Sequence, residues 1–183
     1  SLINLGVGLF DKAPYQHVIV NGLVLASSGV KLSKSEKNYT DPMELVEKYG
    51  ADAMRYALLS SPVVKGENLQ FDDENISDVY KKCISRLENV VMLYEMNKEE
   101  GVAPSTSSND VLDIWMISRV HELVRDATAG YERYLLDDAT RGIGYIIDDI
   151  SVWYTRRSRD RRKGDSGKEE KRQAYETLAY TLL

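Results

Sequence analysis

Cysteine is almost missing from this chain, and each shortage in its composition narrows what the chain can be. The single thiol, Cys83, allows no internal disulfide and no cysteine-built zinc site. The only two histidines, His17 and His121, stand 104 positions apart, so no local HxxH or HExxH metal motif exists. No stretch approaches the ~18 consecutive apolar residues that a bilayer-spanning helix needs. The first ten residues carry no basic region and no small-residue cleavage site, which argues against a secretory signal. These absences predict a cytoplasmic protein with no metal of its own. What remains, 43% hydrophobic and 29% charged residues over 183 positions, is the composition of a folded domain or two small ones.

Charge is scarce in one sense and abundant in another. The formal net charge is −5, yet residues 155–172 hold nine Lys or Arg against four Asp or Glu, a local +5 that leaves −10 elsewhere. A positive island on an acidic chain is a local signal, unlike uniform basicity.

Along the chain, residues 1–10 have an apolar, helix-compatible pattern that ends in a turn at Asp11, Lys12, Ala13 and Pro14. The β-branched run of residues 17–20 (HVIV) reads as a strand buried on both faces. Asn21-Gly22 is a turn signal, residues 23–26 read as a second extended piece, and a polar loop runs from there to Pro42. So little β structure is the tail of a sheet rather than a whole one. From Pro42 the pattern turns helical. Gly50 suits a helix end, Asp52 a cap for a second helix that stops before Pro62, and residues 63–73 read as irregular. Residues 74–97 form the strongest helical pattern, with Ile76, Val79, Tyr80, Cys83, Leu87, Val90 and Tyr94 at three- and four-residue steps. A linker at 99–110 precedes a helix carrying Leu112, Trp115, Met116 and Val120. Asp137 or Asp138 can cap the next, whose stripe is Ala139, Ile143, Ile146, Ile147, Ile150, Trp153 and Tyr154. A polar break at 164–167 separates a final helix. Four helices after residue 74, each with one apolar stripe, predict a bundle and a mainly α fold. Both ends read as cut from a longer protein.

Lys31-Leu32-Ser33-Lys34-Ser35 sits in the loop between strand and helix. Two ammonium groups three positions apart, with hydroxyls between them, suit the oxygens of a polyphosphate and the charge of a leaving pyrophosphate. A solvated lysine-rich turn is the plain alternative. Farther on, Arg157 and Arg161 are i,i+4 neighbours, as are Arg159 and Lys163, so two rows of cations can line one helix end toward RNA. Charge that merely complements the helix dipole is the competing account. Trp115 and Trp153 read as core, Cys83 as a small buried hydrophobe, and His17 and His121 as residues without ligand sets. The paired acids Asp137-Asp138 and Asp148-Asp149 read as caps or solvated faces rather than a metal site.

The order of short blocks is more specific than any one of them. Residues 18–25 (VIVNGLVL), KLSKS at 31–35, KNYTDP at 37–42, YGADAMR at 49–55, LLSSP at 58–62, Phe71-Asp72, WMISR at 115–119 and WYTRRSRDR at 153–161 together resemble the class I aminoacyl-tRNA synthetases. The resemblance covers roughly residues 1–163 and is strongest to the isoleucyl, valyl and leucyl branch, where the loop is written KMSKS. The last block is most similar to the isoleucyl members. The resemblance implies a mainly α chain: residues 1–42 as the end of a Rossmann-type catalytic domain, 43–73 as a stem-contact connection, and 74–183 as a truncated anticodon-binding helical bundle.

It also implies roles. Lys31 and Lys34 match the signature lysines that contact ATP phosphates during adenylate formation, and Ser33 and Ser35 match the loop serines. Leu32 stands where the family usually has methionine, a change that nearly conserves volume. Arg156, Arg157, Arg159, Arg161, Arg162 and Lys163 would be the tRNA-facing cations. The parent would use ATP and Mg²⁺ to join isoleucine to its tRNA, with no DNA or membrane partner. The family's second signature, HIGH, has no match here, so the segment alone is expected to be inactive. Valyl or leucyl membership is the near alternative. A stand-alone helical RNA-binding module, or a scaffold bundle with a merely solvated island, are the distant ones.

Overall fold

The computed structural model describes residues 2–33, 38–165 and 167–183. The chain opens with helix α1 (Leu2–Phe10), followed by an extended run and the short strand β1 (Val24–Leu25). Helices α2 (Pro42–Tyr49) and α3 (Ala51–Leu59) come next, then a 3₁₀ turn (Pro62–Lys65) and strand β2 (Leu69–Gln70). β2 pairs with β1 in parallel, Val24 opposite Leu69 and Leu25 opposite Gln70, so the helical pair α2–α3 is the crossover between two adjacent strands.

Three expectations fail in this first third. Residues 17–20 form no strand; Val18 and Val20 stand 65% and 67% exposed. A β-branched run becomes a strand only where another chain segment offers ladder partners, and none of the described residues does so here. Conversely, residues 63–73 are not irregular: Ser61 caps the 3₁₀ turn through its side chain, and β2 follows. The Asp52 cap is also replaced. Gly50, at φ 84°, occupies the N-cap of α3, while Asp52 lies inside its first turn.

α4 (Asp73–Val79), capped by the Asp72 side chain on Glu74 N–H, continues through a π-helical turn (Tyr80–Ile84) into α5 (Ser85–Asn97). α6 (Val111–Glu132) is capped by Asp110. α7 (Leu136–Asp148) runs through a second π-helical turn (Asp149–Tyr154) into α8 (Thr155–Arg157) and α9 (Arg159–Lys163), and α10 (Lys168–Thr181) closes the described chain. Neither Asp137 nor Asp138 caps α7; its N-cap is Leu135, with no side-chain bond.

Leu45, Ala53, Met54 and Ile76 form a small core under α2, α3 and α4. Met116, Ile147, Ile150, Tyr154 and Leu178 centre a larger one in the bundle, and Trp115 packs half-buried against it. The second π turn alters the stripe. It places Tyr154, fully buried, one turn beyond Ile150, and it rotates Trp153 out to 48% exposure, contrary to the core reading of that tryptophan.

Candidate functional site

Two regions gather chemistry-bearing side chains. The first is the loop after β1. Ala26 N–H bonds to Val30 O and Gly29 N–H to Ala26 O, both 2.8 Å, a tight turn that uses the positive φ of Gly29. The chain then doubles back so that Lys31 bridges Leu25 in antiparallel sense. Asn38, from the far side of the loop, holds both ends. Its Nδ2 donates to Lys31 O at 3.1 Å, and its Oδ1 accepts from Ser33 N–H at 2.9 Å. Leu32 is half-buried, as an apolar anchor would be, and the Lys31 side chain is exposed. Lys34 and Ser35 lie outside the described residues. Asn38 was legible only as a flanking polar residue; its bracket across seven positions needs the folded loop.

The second region is the positive island, and the structure divides it. Asp113 at the start of α6 has no solvent exposure and binds Arg161 bidentately, Nη1 at 3.0 Å and Nη2 at 2.7 Å. Asp110 adds a further contact to Arg161 at 2.8 Å. Burial disfavours the Arg161 cation, and the Asp113 carboxylate more than restores it, so its pKa is held above the ordinary arginine value. Arg162 is also buried, donating from Nε to Ser158 Oγ and from Nη2 to Thr155 O. Both residues were expected to face RNA. Their guanidinium groups are instead committed to internal acceptors, because carboxylate and carbonyl oxygens left dry by helix packing need donors.

The other four cations stay outside. Arg157 lies over the Trp153 ring, 4.5 Å from its centroid. Arg156, Arg159 and Lys163 line a cleft of about 460 Å³ together with Leu93 and Asn97 of α5, and the inward-bonded Arg162 also borders it. Lys171 of α10 lies at the same cleft and pairs with Glu99. No carboxylate lines the cleft, and Arg156, Arg159 and Lys163 have no ion-pair partner among the described residues.

The remaining candidates are structural. Asp137, 3% exposed, takes Lys65 and Arg141, both at 2.6 Å; Asp148 pairs with Arg86 and Asp149 with Arg119. No group of three or more metal-ligating side chains exists among the described residues. The His17 ring packs at a tilt against Tyr134, centroids 4.8 Å apart, and His121 Nε2 meets Tyr180 Oη at 2.7 Å. Cys83 is buried. No described helix is long and apolar enough to cross a membrane.

Comparison with known proteins follows this division. Residues 1–70 match the family model "tRNA synthetases class I (I, L, M and V)", and residues 113–183 match "Anticodon-binding domain of tRNA ligase". Over its whole length the chain is 37% identical to the cytoplasmic isoleucine–tRNA ligase of Mus musculus. It is 38% identical to the isoleucine–tRNA ligases of Treponema denticola and, in the cytoplasmic form, of Caenorhabditis elegans. The chain spans 15% to 18% of the length of these relatives. Among solved structures, the LeuRS–tRNA–LeuAMS ternary complex of Agrobacterium radiobacter K84 superposes with a TM-score of 0.70 at 19% identity, over 98% of this chain and 22% of that one. That likeness shows a shared fold.

Proposed function

The chain belongs to the class I tRNA synthetases, and from that premise we propose that it serves an isoleucine–tRNA ligase at two ends. The loop around Lys31 contributes to ATP handling, and the cationic cleft of the bundle grips the anticodon region of tRNA. Residues 1–42 are then the end of the catalytic domain, 43–73 the connection, and 74–183 the anticodon-binding unit. The choice of isoleucine is supported by the names of the relatives that match the whole chain. A cytoplasmic setting is supported by the names of the mouse and nematode proteins.

In this reading the isoleucine carboxylate attacks the α-phosphorus of ATP and pyrophosphate leaves. Lys31 and Lys34 balance the charge that builds on the phosphate oxygens. Mg²⁺ would accompany the nucleotide. The described residues offer no carboxylate set for it. With no HIGH match, this segment is expected to lack adenylating activity by itself, since one loop cannot position adenine, phosphates and carboxylate together.

The observation that carries the proposal is the cleft whose three cations lack partners on a unit matching the anticodon-binding family. An acidic chain that keeps Arg156, Arg159 and Lys163 along one cleft, with no ion-pair partner among the described residues, has a site for an external polyanion. The test titrates the chain against isoleucine, valine and leucine tRNA transcripts by fluorescence anisotropy at two salt concentrations. Preference for the isoleucine tRNA, weakening with salt, is the expected result; no binding to any tRNA refutes it. For the loop, Lys34→Ala in a full-length ligase carrying this segment should slow isoleucine-dependent pyrophosphate exchange by ~10²-fold. Unchanged exchange would remove the assigned role.

A further inference from the structure

The extended segment that carries Lys31 is held along both of its edges, by different means. On the inner edge β1 supplies the partners. Ala26 N–H donates to Val30 O at 2.8 Å and Leu32 N–H to Val24 O at 3.4 Å, one bond on either side of the Leu25–Lys31 bridge. In this antiparallel pattern the bracketed residue points its own carbonyl away from the partner strand. Lys31 O therefore faces outward, and so does the N–H of Ser33, two residues on. No strand among the described residues runs along that outer edge, because β2 takes the other side of β1. It does so through Leu69 N–H to Leu23 O and Phe71 N–H to Leu25 O.

Asn38 stands where an outer strand would. Its Nδ2 donates to Lys31 O at 3.1 Å and its Oδ1 accepts from Ser33 N–H at 2.9 Å. A side-chain amide carries a donor and an acceptor side by side, as a peptide group in a ladder does, and here both are used. The residues after Asn38 are themselves tied down. Thr40 Oγ1 donates to Asp73 Oδ2 at 2.6 Å at the start of α4, and Asp41 Oδ1 accepts from Met43 N–H at 2.8 Å at the start of α2. The Asn38 amide carries that anchorage across to residues 31–33. Alternation along an extended segment puts Lys31 and Ser33 on one face and Leu32, half-buried, on the other.

We propose that Asn38 is a positioning residue for adenylate formation, its amide locking the backbone beneath Lys31 so that the ammonium group is placed before ATP arrives. This inference rests on the reading of Lys31 as a phosphate contact and adds to it the residue that preorganises Lys31. A lysine stem is flexible, so its backbone is where the fold can restrain it. A misplacement of about 1 Å at a reacting group costs on the order of 10²-fold in rate.

The test measures isoleucine-dependent pyrophosphate exchange in a full-length ligase carrying this segment, for Asn38→Ala, Lys31→Ala and the double variant. Asn38→Ala should lower kcat by ~10- to 100-fold and leave the KM for isoleucine unchanged. In the Lys31→Ala background the same substitution should cost less than ~3-fold, because a residue that acts through Lys31 has nothing left to position. Asn38→Asp keeps an acceptor for Ser33 N–H but sets its second oxygen against Lys31 O, so it should be as slow as Asn38→Ala. Amide hydrogen exchange on the chain itself supplies the structural readout. Asn38→Ala should speed exchange at the Ser33 amide by at least ~10-fold and leave the Leu69 amide protected. Unchanged kcat in Asn38→Ala, or losses that multiply in full in the double variant, overturn the positioning role and leave the Lys31 reading standing. Loss of protection at Leu69 as well as Ser33 also overturns it, since Asn38 would then serve the fold at large. Unchanged pyrophosphate exchange in Lys31→Ala overturns the phosphate reading of Lys31 and this inference with it.

Discussion

Replacing Arg161 should cost the protein far more stability than replacing Arg157, four positions earlier in the same basic run. The Asp113 carboxylate, with no solvent exposure, accepts four hydrogen bonds. They come from Ser108 Oγ at 2.6 Å, Tyr154 Oη at 2.7 Å, and Arg161 Nη1 and Nη2 at 3.0 and 2.7 Å. Arg161→Met removes the two charge-assisted bonds and strands the carboxylate. Breaking such a buried pair costs about 3–5 kcal/mol, and the two remaining hydroxyl donors set the value near the lower end, about 3 kcal/mol. Tyr154→Phe removes one bond to a charged acceptor and should cost about 2 kcal/mol. Arg157→Met removes only an exposed contact over Trp153, about 0.5 kcal/mol. Adding Asp113→Asn to Arg161→Met should recover about 1–2 kcal/mol, because the stranded charge is gone. Urea unfolding reads all four variants from their midpoints at constant slope. Equal midpoint shifts for Arg157→Met and Arg161→Met would refute the division of the island into inner and outer cations.

Other outcomes follow from single contacts. Burial alone would raise the Asp137 pKa, but the Lys65 ammonium outweighs it and the net shift is downward. Its stabilisation is thus complete above the unfolded carboxylate value of about 3.9 and is lost as pH falls through the lower folded value. Lys65→Met should flatten the dependence of the urea midpoint on pH in that acid window; an unchanged profile would show that Arg141 alone holds the carboxylate. Gly22→Ala should cost about 3 kcal/mol or more, since its Cβ would stand 1.7 Å from Glu67 O, with backbone on both sides. Loss of exchange protection at the Leu69 amide, which bonds to Leu23 O, reports the damage locally. Burial holds the Cys83 thiol above its ordinary pKa, so it should react at pH 8 at least ~10-fold more slowly than a free thiol with a disulfide reagent. Reaction at the free-thiol rate would contradict its burial.

The helices were legible because their information is local. A three- and four-residue apolar rhythm, Pro42 at a first turn and Gly50 at an end fix where a helix starts and which face it buries, whatever it packs against. That Lys31 lies in a loop was legible for a similar reason, since the polar run between an extended piece and Pro42 marks a loop locally. The exposed HVIV run shows the limit of that information, because strand formation depends on a partner that local sequence does not contain. Trp153 shows another, since a π turn six residues long shifts the stripe and no periodicity announces it.

The basic run makes the distinction sharpest. By itself the sequence determined that six cations crowd into residues 156–163 of an acidic chain. Only the tertiary structure decided which of them turn inward and which stay at the surface. Asp113 is 48 positions from Arg161, and until α6 is packed against the end of the α7–α9 run nothing distinguishes Arg161 from Arg159. Once packed, a carboxylate with no water must have a donor, and the nearest guanidinium is drawn inward. The cations that find no such acceptor remain outside: Arg157 over Trp153, and Arg156, Arg159 and Lys163 along the cleft.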